Sequence, residues 1–209
     1  MEKEYKNIGF VFLLLIPMAL WAFYKSYIIQ LPDIGVTIDG YIHLHAAVSS
    51  VWLALLISQP LLIRYHQFRV HRILGQVSYI VFLLLVLTFV PLIVRNYNGI
   101  TSVINPLFDF GLLLIFYPLA ILNKKNIAVH MRYMIAITLI FIGPTLARIL
   151  FHWTSISGFW GTMITWGSIN VILVGLLIWD KRNGRPYQPY VVALGAFFTY
   201  LIVLFILNY

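Results

Sequence analysis

Histidines stand near both ends of one long apolar segment, with an arginine between them. In residues 126–153, NIAVHMRYMIAITLIFIGPTLARILFHW, the polar and semi-polar positions recur every three or four residues and form one stripe on an α-helix. His130, Arg148 and His152 belong to this stripe. The helical rise from His130 to His152 is about 33 Å, roughly the thickness of a bilayer's hydrocarbon core. We therefore expect a histidine at each membrane face and a costly internal charge, Arg148, about one turn inside the His152 end.

The other residues capable of chemistry fall at the same two depths. Imidazole nitrogens bind haem iron, copper or zinc, a carboxylate can ligate a metal or orient an imidazole, and an arginine can neutralise a haem propionate. We predict cofactor binding by His45, His152, His71, His130 and Arg148, with His66 near the inner pair. A transition-metal site at the outer face is predicted to draw on His43, His45, Asp109 and His152.

Asp109 lies about one turn inside its apolar run, where an isolated carboxylate is expensive unless it is protonated, hydrated or paired. Arg148 is the internal positive charge at the same depth. We therefore predict a contact between Asp109 and Arg148, with a purely structural ion pair as the alternative to a functional site.

The composition limits the class of protein that carries these residues. Of 209 residues, 62% are hydrophobic and 10% are charged, and the mean hydropathy is +0.93. These values exclude a water-soluble domain and predict an integral membrane protein. The chain has no cysteine, which excludes disulfides, thiolate metal sites, iron–sulfur clusters and cysteine nucleophiles.

The elements that position these residues are apolar runs long enough to cross a bilayer. We predict an all-α polytopic membrane protein whose residues 1–209 form one transmembrane domain with seven transmembrane helices. The predicted spans are 8–30, 41–63, 73–95, 104–123, 129–152, 158–179 and 189–208.

The basic residues fix an orientation for these spans. Eleven of the 14 lie on one side, which the positive-inside rule makes cytoplasmic, with the N-terminus in and the C-terminus out. They are Lys3, Lys6, Arg64, Arg69, Arg72, Lys124, Lys125, Arg132, Lys181, Arg182 and Arg185. We therefore attribute the net charge of +8 to membrane topology and to contacts with anionic lipid headgroups, and we expect no nucleic-acid partner.

Three weaker features complete the pattern. Asn170 shares a face of the sixth span with Trp166 and is predicted to make an interhelical hydrogen bond. The seventh span has no histidine or charged residue after Arg185 and is predicted to serve packing alone. The outer connection from Lys25 to Gly40 is the longest irregular stretch and is predicted to cover an external cavity.

Three quoted segments carry a resemblance to known families. VHMRYMIAITLIFIGPTLAR, HLHAAVSSVWLALLISQ and VHRILGQVSY resemble elements of a large set of uncharacterised bacterial seven-helix membrane proteins, over roughly residues 43 to 150. The same elements resemble CtaM-like proteins of cytochrome oxidase assembly and the two-haem transmembrane cytochromes b that ascorbate reduces. This resemblance implies a bacterial cytoplasmic membrane and paired histidines that hold haem at each side, His45 with His152 and His71 with His130.

Three functions remain open at this point. The first is binding of haem or a transition metal such as copper or zinc, in electron transport or the assembly of a respiratory cofactor. The second is a transporter or receptor for a small molecule, with an outward-facing polar pocket formed by Asp109, Arg148 and His152. The third is a zinc hydrolase resembling the seven-helix adiponectin-receptor and ceramidase proteins. The sequence identifies no catalytic residue and no oligomeric state.

Overall fold

All regular secondary structure in the described part of the chain is helical. The computed structural model describes Glu2, residues 5–33 and residues 39–207, without the side chains of Pro32 and Asp33. The predicted cover over the outer face includes residues 34–38, which lie outside the described residues. The α-helices are α1 (Ile8–Phe12), α2 (Leu15–Tyr24), α3 (Gly40–Arg64), α4 (Phe68–Arg95), α5 (Ile100–Leu122), α6 (Ile127–Trp153), α7 (Gly158–Arg182) and α8 (Gln188–Leu207), and a 3-10 helix covers Ile28–Asp33.

Six of these helices, α3 to α8, are long and apolar enough to cross a membrane. They correspond to six of the seven predicted spans, and the chain is a multi-pass helical membrane protein. The prolines Pro60, Pro91 and Pro144 lie inside α3, α4 and α6 without ending these helices.

The first predicted span differs from the expectation. Its apolar stretch, Ile8–Tyr24, is shorter than the other six and is divided into α1 and α2 at Leu13 and Leu14. Pro17 explains the division, because its ring lacks an N–H and would clash with the carbonyl of Leu13 four residues earlier in a continuous helix. In the first turn of α2 the same proline is tolerated, since a backbone donor there has no helical partner.

The helices divide into two compact units, Met1–Pro106 and Leu107–Tyr209, with the boundary inside α5. The single domain predicted for residues 1–209 stays a prediction. In the first unit α3 packs against α4 and α1 packs against α3. A Cβ atom on Gly9 would lie 2.7 Å from Cδ2 of Leu61, so only glycine permits α1 to approach α3 this closely.

The second unit is built around α6, which packs against α7 and α8, while α7 also packs against α8. Aromatic rings join α5 to the other helices of this unit. The ring of Phe116 on α5 lies 6.0 Å from that of Phe197 on α8 and 6.4 Å from that of Tyr133 on α6. The unit therefore contains one continuous buried core to which all four helices contribute.

Candidate functional site

Asp109 is a buried carboxylate on α5 in the second unit. Its side chain is only 7% exposed, and its Oδ1 atom has no hydrogen-bond partner among the described residues. A buried acceptor without a donor costs about 1–3 kcal/mol, and more when it carries a charge. Asp109 is therefore a group that the helices of this unit leave incompletely satisfied.

Arg148 on α6 provides the positive charge predicted for Asp109. The two residues interact electrostatically, each being the charged group that acts on the other. The guanidinium group of Arg148 also turns back along its own helix, where NH1 donates a hydrogen bond to the carbonyl of Pro144 across 2.9 Å. The two groups therefore act on each other electrostatically, whereas the predicted direct contact stays a prediction, and Oδ1 of Asp109 has no donor among the described residues.

Aromatic side chains from α5, α7 and α8 pack together, and one of them interacts with Asp109. Tyr200 on α8 is fully buried and interacts electrostatically with Asp109. Its ring stacks on Phe108 with ring centroids 4.0 Å apart and meets the edge of Trp166 at 4.5 Å. The prediction that the seventh span serves packing alone was therefore incomplete, because α8 brings Tyr200 to the charged pair.

Trp166 reaches this position because α6 has a glycine opposite it. A Cβ atom on Gly143 would lie 2.6 Å from Cη2 of Trp166, closer than real Cβ contacts allow. The indole thus occupies the space that a side chain at position 143 would need. In the sequence, the one feature that could have indicated this close approach is a glycine within an apolar span.

Asn170 lies one turn after Trp166 on α7 and is 8% exposed. Its Nδ2 donates a hydrogen bond to the carbonyl of Trp166 across 2.9 Å, and its buried Oδ1 has no partner among the described residues. The predicted interhelical hydrogen bond is replaced by one within α7. We call Asp109, Arg148, Trp166, Asn170 and Tyr200 the Asp109 cluster.

His45 in the first unit is held by hydrogen bonds to both of its ring nitrogens. Thr88 donates its hydroxyl proton to the carbonyl of Leu85 across 2.9 Å, so its oxygen can accept a hydrogen bond from Nδ1 of His45 at 3.0 Å. Ser49 lies 3.2 Å from Nε2 of the same ring. Both ring nitrogens of His45 are therefore engaged, and metal or haem ligation requires one of these bonds to break.

His43 makes one hydrogen bond, 2.8 Å long, between its Nδ1 atom and the hydroxyl of Tyr27. Its Nε2 atom is buried and has no partner within the described part of the chain. His66 lies in the connection between α3 and α4 with a φ of 59°, whereas His71 belongs to the first turn of α4.

His130 is the histidine whose surroundings best suit a ligand. Its Nδ1 lies 2.8 Å from the carbonyl of Ala120, which can only accept, so Nδ1 carries the proton. In the neutral ring this leaves the lone pair on Nε2, the arrangement that orients metal-ligating histidines. His152, at the other end of α6, packs edge-on against Phe151 at 5.6 Å.

The predicted histidine sets draw on both units of the chain. His43, His45 and His71 belong to the first unit, while Asp109, His130, Arg148 and His152 belong to the second. The pairings of His45 with His152 and of His71 with His130 therefore stay predictions. Within the described residues, no three His, Asp or Glu side chains gather closely enough to hold a metal ion.

An ion pair missed by the sequence analysis lies at the other end of the second unit. Arg132, which was counted among the basic residues of the connections, is fully buried with Asp180. Its NH1 group also donates to the carbonyl of Ala128 across 2.9 Å. Arg132 is thus a core residue of α6, and its predicted place in the connection between two spans was wrong.

Comparisons with known proteins add no relative to this description. No protein-family model, no curated protein and no solved structure matches the chain. The resemblances to seven-helix bacterial proteins, to CtaM-like proteins and to two-haem cytochromes b therefore remain expectations.

Proposed function

We propose that the chain is a seven-span protein of the bacterial cytoplasmic membrane, with its N-terminus in and its C-terminus out. The six long apolar helices support a multi-pass arrangement. The basic residues of the connections support the orientation, because they still share one side of the membrane when the buried Arg132 is left out. These residues are Arg64, Arg69, Arg72, Lys124, Lys125, Lys181, Arg182 and Arg185. In this arrangement the Asp109 cluster lies toward the exoplasmic side.

The Asp109 cluster binds a small polar molecule, which makes the chain a transporter or a receptor. The observation that carries this function is the Oδ1 atom of Asp109, buried and without a donor among the described residues. Ionisable groups inside membrane spans are rare because burial is costly, and they mark binding sites and transport pathways. A ligand that donates a hydrogen bond to Oδ1 removes the free-energy cost of keeping this buried oxygen without a donor.

The aromatic surroundings also suit a ligand site. Small-molecule sites combine apolar and aromatic walls with a few convergent polar groups. Here Trp166 and Tyr200 contribute aromatic surface, while Asp109 and Arg148 contribute ionisable groups from two different helices. We therefore add Trp166, Asn170 and Tyr200 to the predicted pocket of Asp109, Arg148 and His152, which stays a prediction.

Thermal unfolding of the detergent-purified chain tests this function. A panel of small cationic, anionic, zwitterionic and neutral compounds is added to the wild type and to the Asp109→Asn variant. At least one compound is expected to raise Tm in the wild type and to raise it less in the variant, because a ligand stabilises only the state that binds it. Asp39→Asn is the matched control, since Asp39 forms an exposed ion pair with Arg95. Equal shifts in wild type and Asp109→Asn with every compound contradict a ligand site at Asp109.

Binding of haem or a transition metal is the second candidate function, and His130 is the observation that favours it. The hydrogen bond from its Nδ1 atom to Ala120 fixes the ring and leaves Nε2 as the ligating atom. His45, His71 and His152 are the other proposed ligands, and Arg148 is the proposed partner of an anionic group on the cofactor. When bound, haem supplies one-electron chemistry, for which the histidines only hold and orient the iron.

The visible absorption spectrum and the metal content of the purified chain test this candidate. A Soret band, or stoichiometric copper or zinc, is expected in the wild type, and His130→Ala is expected to lower the bound amount. His66→Ala is the control, because His66 is exposed in a connection. Unchanged content in His130→Ala excludes His130 as a ligand. No contact in the described residues favours the zinc-hydrolase alternative.

A further inference from the structure

We propose that Ser49 and His45 on α3 form a nucleophile and its general base, which accept an acyl group from an ester carried by an apolar molecule. Thr88 on α4 is the positioning residue that orients the base. This inference goes beyond the proposed ligand site, because all three residues belong to the first unit of the chain. It follows from two hydrogen bonds on one imidazole ring and from the proton positions that they require.

The hydrogen bonds of Thr88 determine which nitrogen of His45 carries the proton. The hydroxyl of Thr88 has a single proton, which it donates to the carbonyl of Leu85 across 2.9 Å. Its oxygen therefore accepts the 3.0 Å hydrogen bond from Nδ1 of His45, and Nδ1 carries the ring proton. In the neutral ring, Nε2 then holds a lone pair that can accept a proton.

Ser49 is the donor to that lone pair. Its Oγ atom lies 3.2 Å from Nε2 of His45, a distance that joins a nucleophile to its general base. Because Nε2 only accepts, the hydroxyl of Ser49 donates its proton along this hydrogen bond. The next residue, Ser50, instead donates to the backbone carbonyl of Ala46, which is an ordinary arrangement for a serine within a helix. The proton of Ser49 is thus directed at a base.

The exposure of the three side chains suits a reactive site. Thr88 is only 7% exposed, so the group that orients the imidazole is shielded. His45 and Ser49 are half-buried, which leaves part of the nucleophile and of its base accessible. The ring of Phe89 packs edge-on against His45 at 5.0 Å. A buried orienting group behind an accessible base and nucleophile is the order found in serine–histidine triads.

Acyl transfer is the reaction that this arrangement supports. Oγ of Ser49 attacks the carbonyl carbon of the ester, while its proton passes to Nε2 of His45. The imidazolium then gives that proton to the alcohol oxygen as the bond between the carbonyl carbon and this oxygen breaks, which leaves the acyl group on Ser49. Water attacks the acyl group with His45 again as the base, and this second step releases the acid and restores the hydroxyl.

The position of the site favours an ester with an apolar chain. Ser49 lies about 13 Å along α3 from the first residue, Gly40, inside a helix that is long and apolar enough to cross a membrane. Leu44 and Val51 on the same helix are exposed and present apolar surface. A lipid ester brings its carbonyl group to such surroundings on an apolar chain, whereas a small hydrophilic ester must first lose its water.

Labelling of the full chain in detergent with fluorophosphonates tests the proposal. Oγ of an activated serine bonds to the phosphorus of such a probe, while fluoride leaves and the proton passes to the base. The wild type is expected to form one adduct, which mass spectrometry of its peptides locates at Ser49. A probe with a dodecyl chain is expected to react faster than one with an ethyl chain when their concentrations in the micelles are matched.

Variants separate the chemistry from a structural role. His45→Gln keeps a hydrogen-bonding side chain but removes the base, and it is expected to slow labelling about a hundredfold or more. Ser49→Ala is expected to abolish labelling, while the matched control Ser50→Ala keeps the wild-type rate, because Ser50 is exposed and bonded to its own helix. Thr88→Val is expected to slow labelling, and Thr88→Ser, which keeps the hydroxyl, is expected to retain it.

Each part of the proposal has a result that overturns it. An unlabelled wild type, or an adduct at a residue other than Ser49, removes the nucleophile, and this result requires no variant to fold. Labelling of His45→Gln at the wild-type rate removes the base, and so does loss of bound haem or metal in this variant, because a ligating nitrogen cannot act as the base. An equal or faster reaction of the ethyl probe removes the apolar ester. None of these results concerns Asp109, so the two proposals fail separately.

Discussion

Nε of Arg132 donates a hydrogen bond to Oδ2 of Asp180 across 2.6 Å, and both side chains are fully buried. The pair joins the first turns of α6 to the last turn of α7. Two charges removed from water are stable only when each satisfies the other, so the alignment of these two helices depends on both residues. The carbonyl of Ala128 accepts a further bond from NH1 and fixes the guanidinium on its own helix.

Removing one partner of this pair is expected to destabilise the chain strongly. Asp180→Asn or Arg132→Met leaves the other charge buried and unpaired, which typically lowers the free energy of unfolding by about 3–5 kcal/mol. The double variant Arg132→Met/Asp180→Leu is expected to lose less than the sum of the single losses. Unfolding in increasing SDS measures these values, and Arg182→Met is the control because Arg182 is exposed beside the pair. Single variants as stable as this control would contradict the role of the pair.

A double-mutant cycle on Asp109 and Arg148 is expected to give coupled losses. Asp109→Asn and Arg148→Gln each remove one of two charges that act on one another, so the combined variant should lose less stability than the sum. The same cycle on Asp39 and Arg95 is the control, because these side chains are 53% and 41% exposed. That exposed pair is expected to contribute at most about 1 kcal/mol. Strictly additive losses at Asp109 and Arg148 would show that their charges do not meet in solution.

Gly143→Ala is expected to displace the indole of Trp166. The added Cβ atom would lie 2.6 Å from Cη2 and 2.9 Å from Cζ2, so the ring must move at a cost of about 1–3 kcal/mol. Near-UV circular dichroism reports the changed tryptophan environment, and Tm reports the loss. Gly167→Ala is the matched control, since nothing lies within 4 Å of its added Cβ atom. If both variants leave the spectrum unchanged, the close packing of α6 against Trp166 is wrong.

Cysteine labelling is expected to confirm the proposed orientation. The chain contains no cysteine, so a single substitution gives one labelling site. Lys125 and Ser155 are exposed in the connections before and after α6. In intact cells a membrane-impermeant maleimide should label Ser155→Cys, and it should label Lys125→Cys only after the membrane is opened. Labelling with the opposite preference would reverse the proposed topology.

The positions of the long helices were predictable because their signal is strong and local. Uninterrupted apolar runs separated by clusters of basic residues predicted α3 to α8 within a few residues of their observed bounds. The division of the first run between α1 and α2 was not predicted. It arises from Pro17. A proline breaks a helix that continues through it but is tolerated in the first turn of a new helix, and the sequence does not show which of the two occurs.

The Asp109 cluster was predictable only where it carries charge. Asp109 and Arg148 stand out because charged residues are rare in spans, and their common depth indicated that they interact. Tyr200 and Trp166 gave no such signal, since aromatic residues are common throughout membrane helices. Arg132 and Asp180 were hidden for another reason. They lie near the ends of their helices, where a charged side chain ordinarily reaches water. Only the packing of α6 against α7 shows that these two side chains are buried instead.

The short N-terminal stretch has a consequence for the surrounding lipid. Its 17 apolar residues, Ile8–Tyr24, rise about 25 Å at most, whereas the hydrocarbon core measures about 30 Å. The break between α1 and α2 shortens that reach further. In the proposed seven-span arrangement this stretch crosses the bilayer, and the hydrophobic mismatch then thins the adjacent lipid or draws flanking lysines such as Lys6 and Lys25 inward, with their ammonium groups extended to the headgroups. Under that proposal the chain favours thin regions of membrane beside α1 and α2.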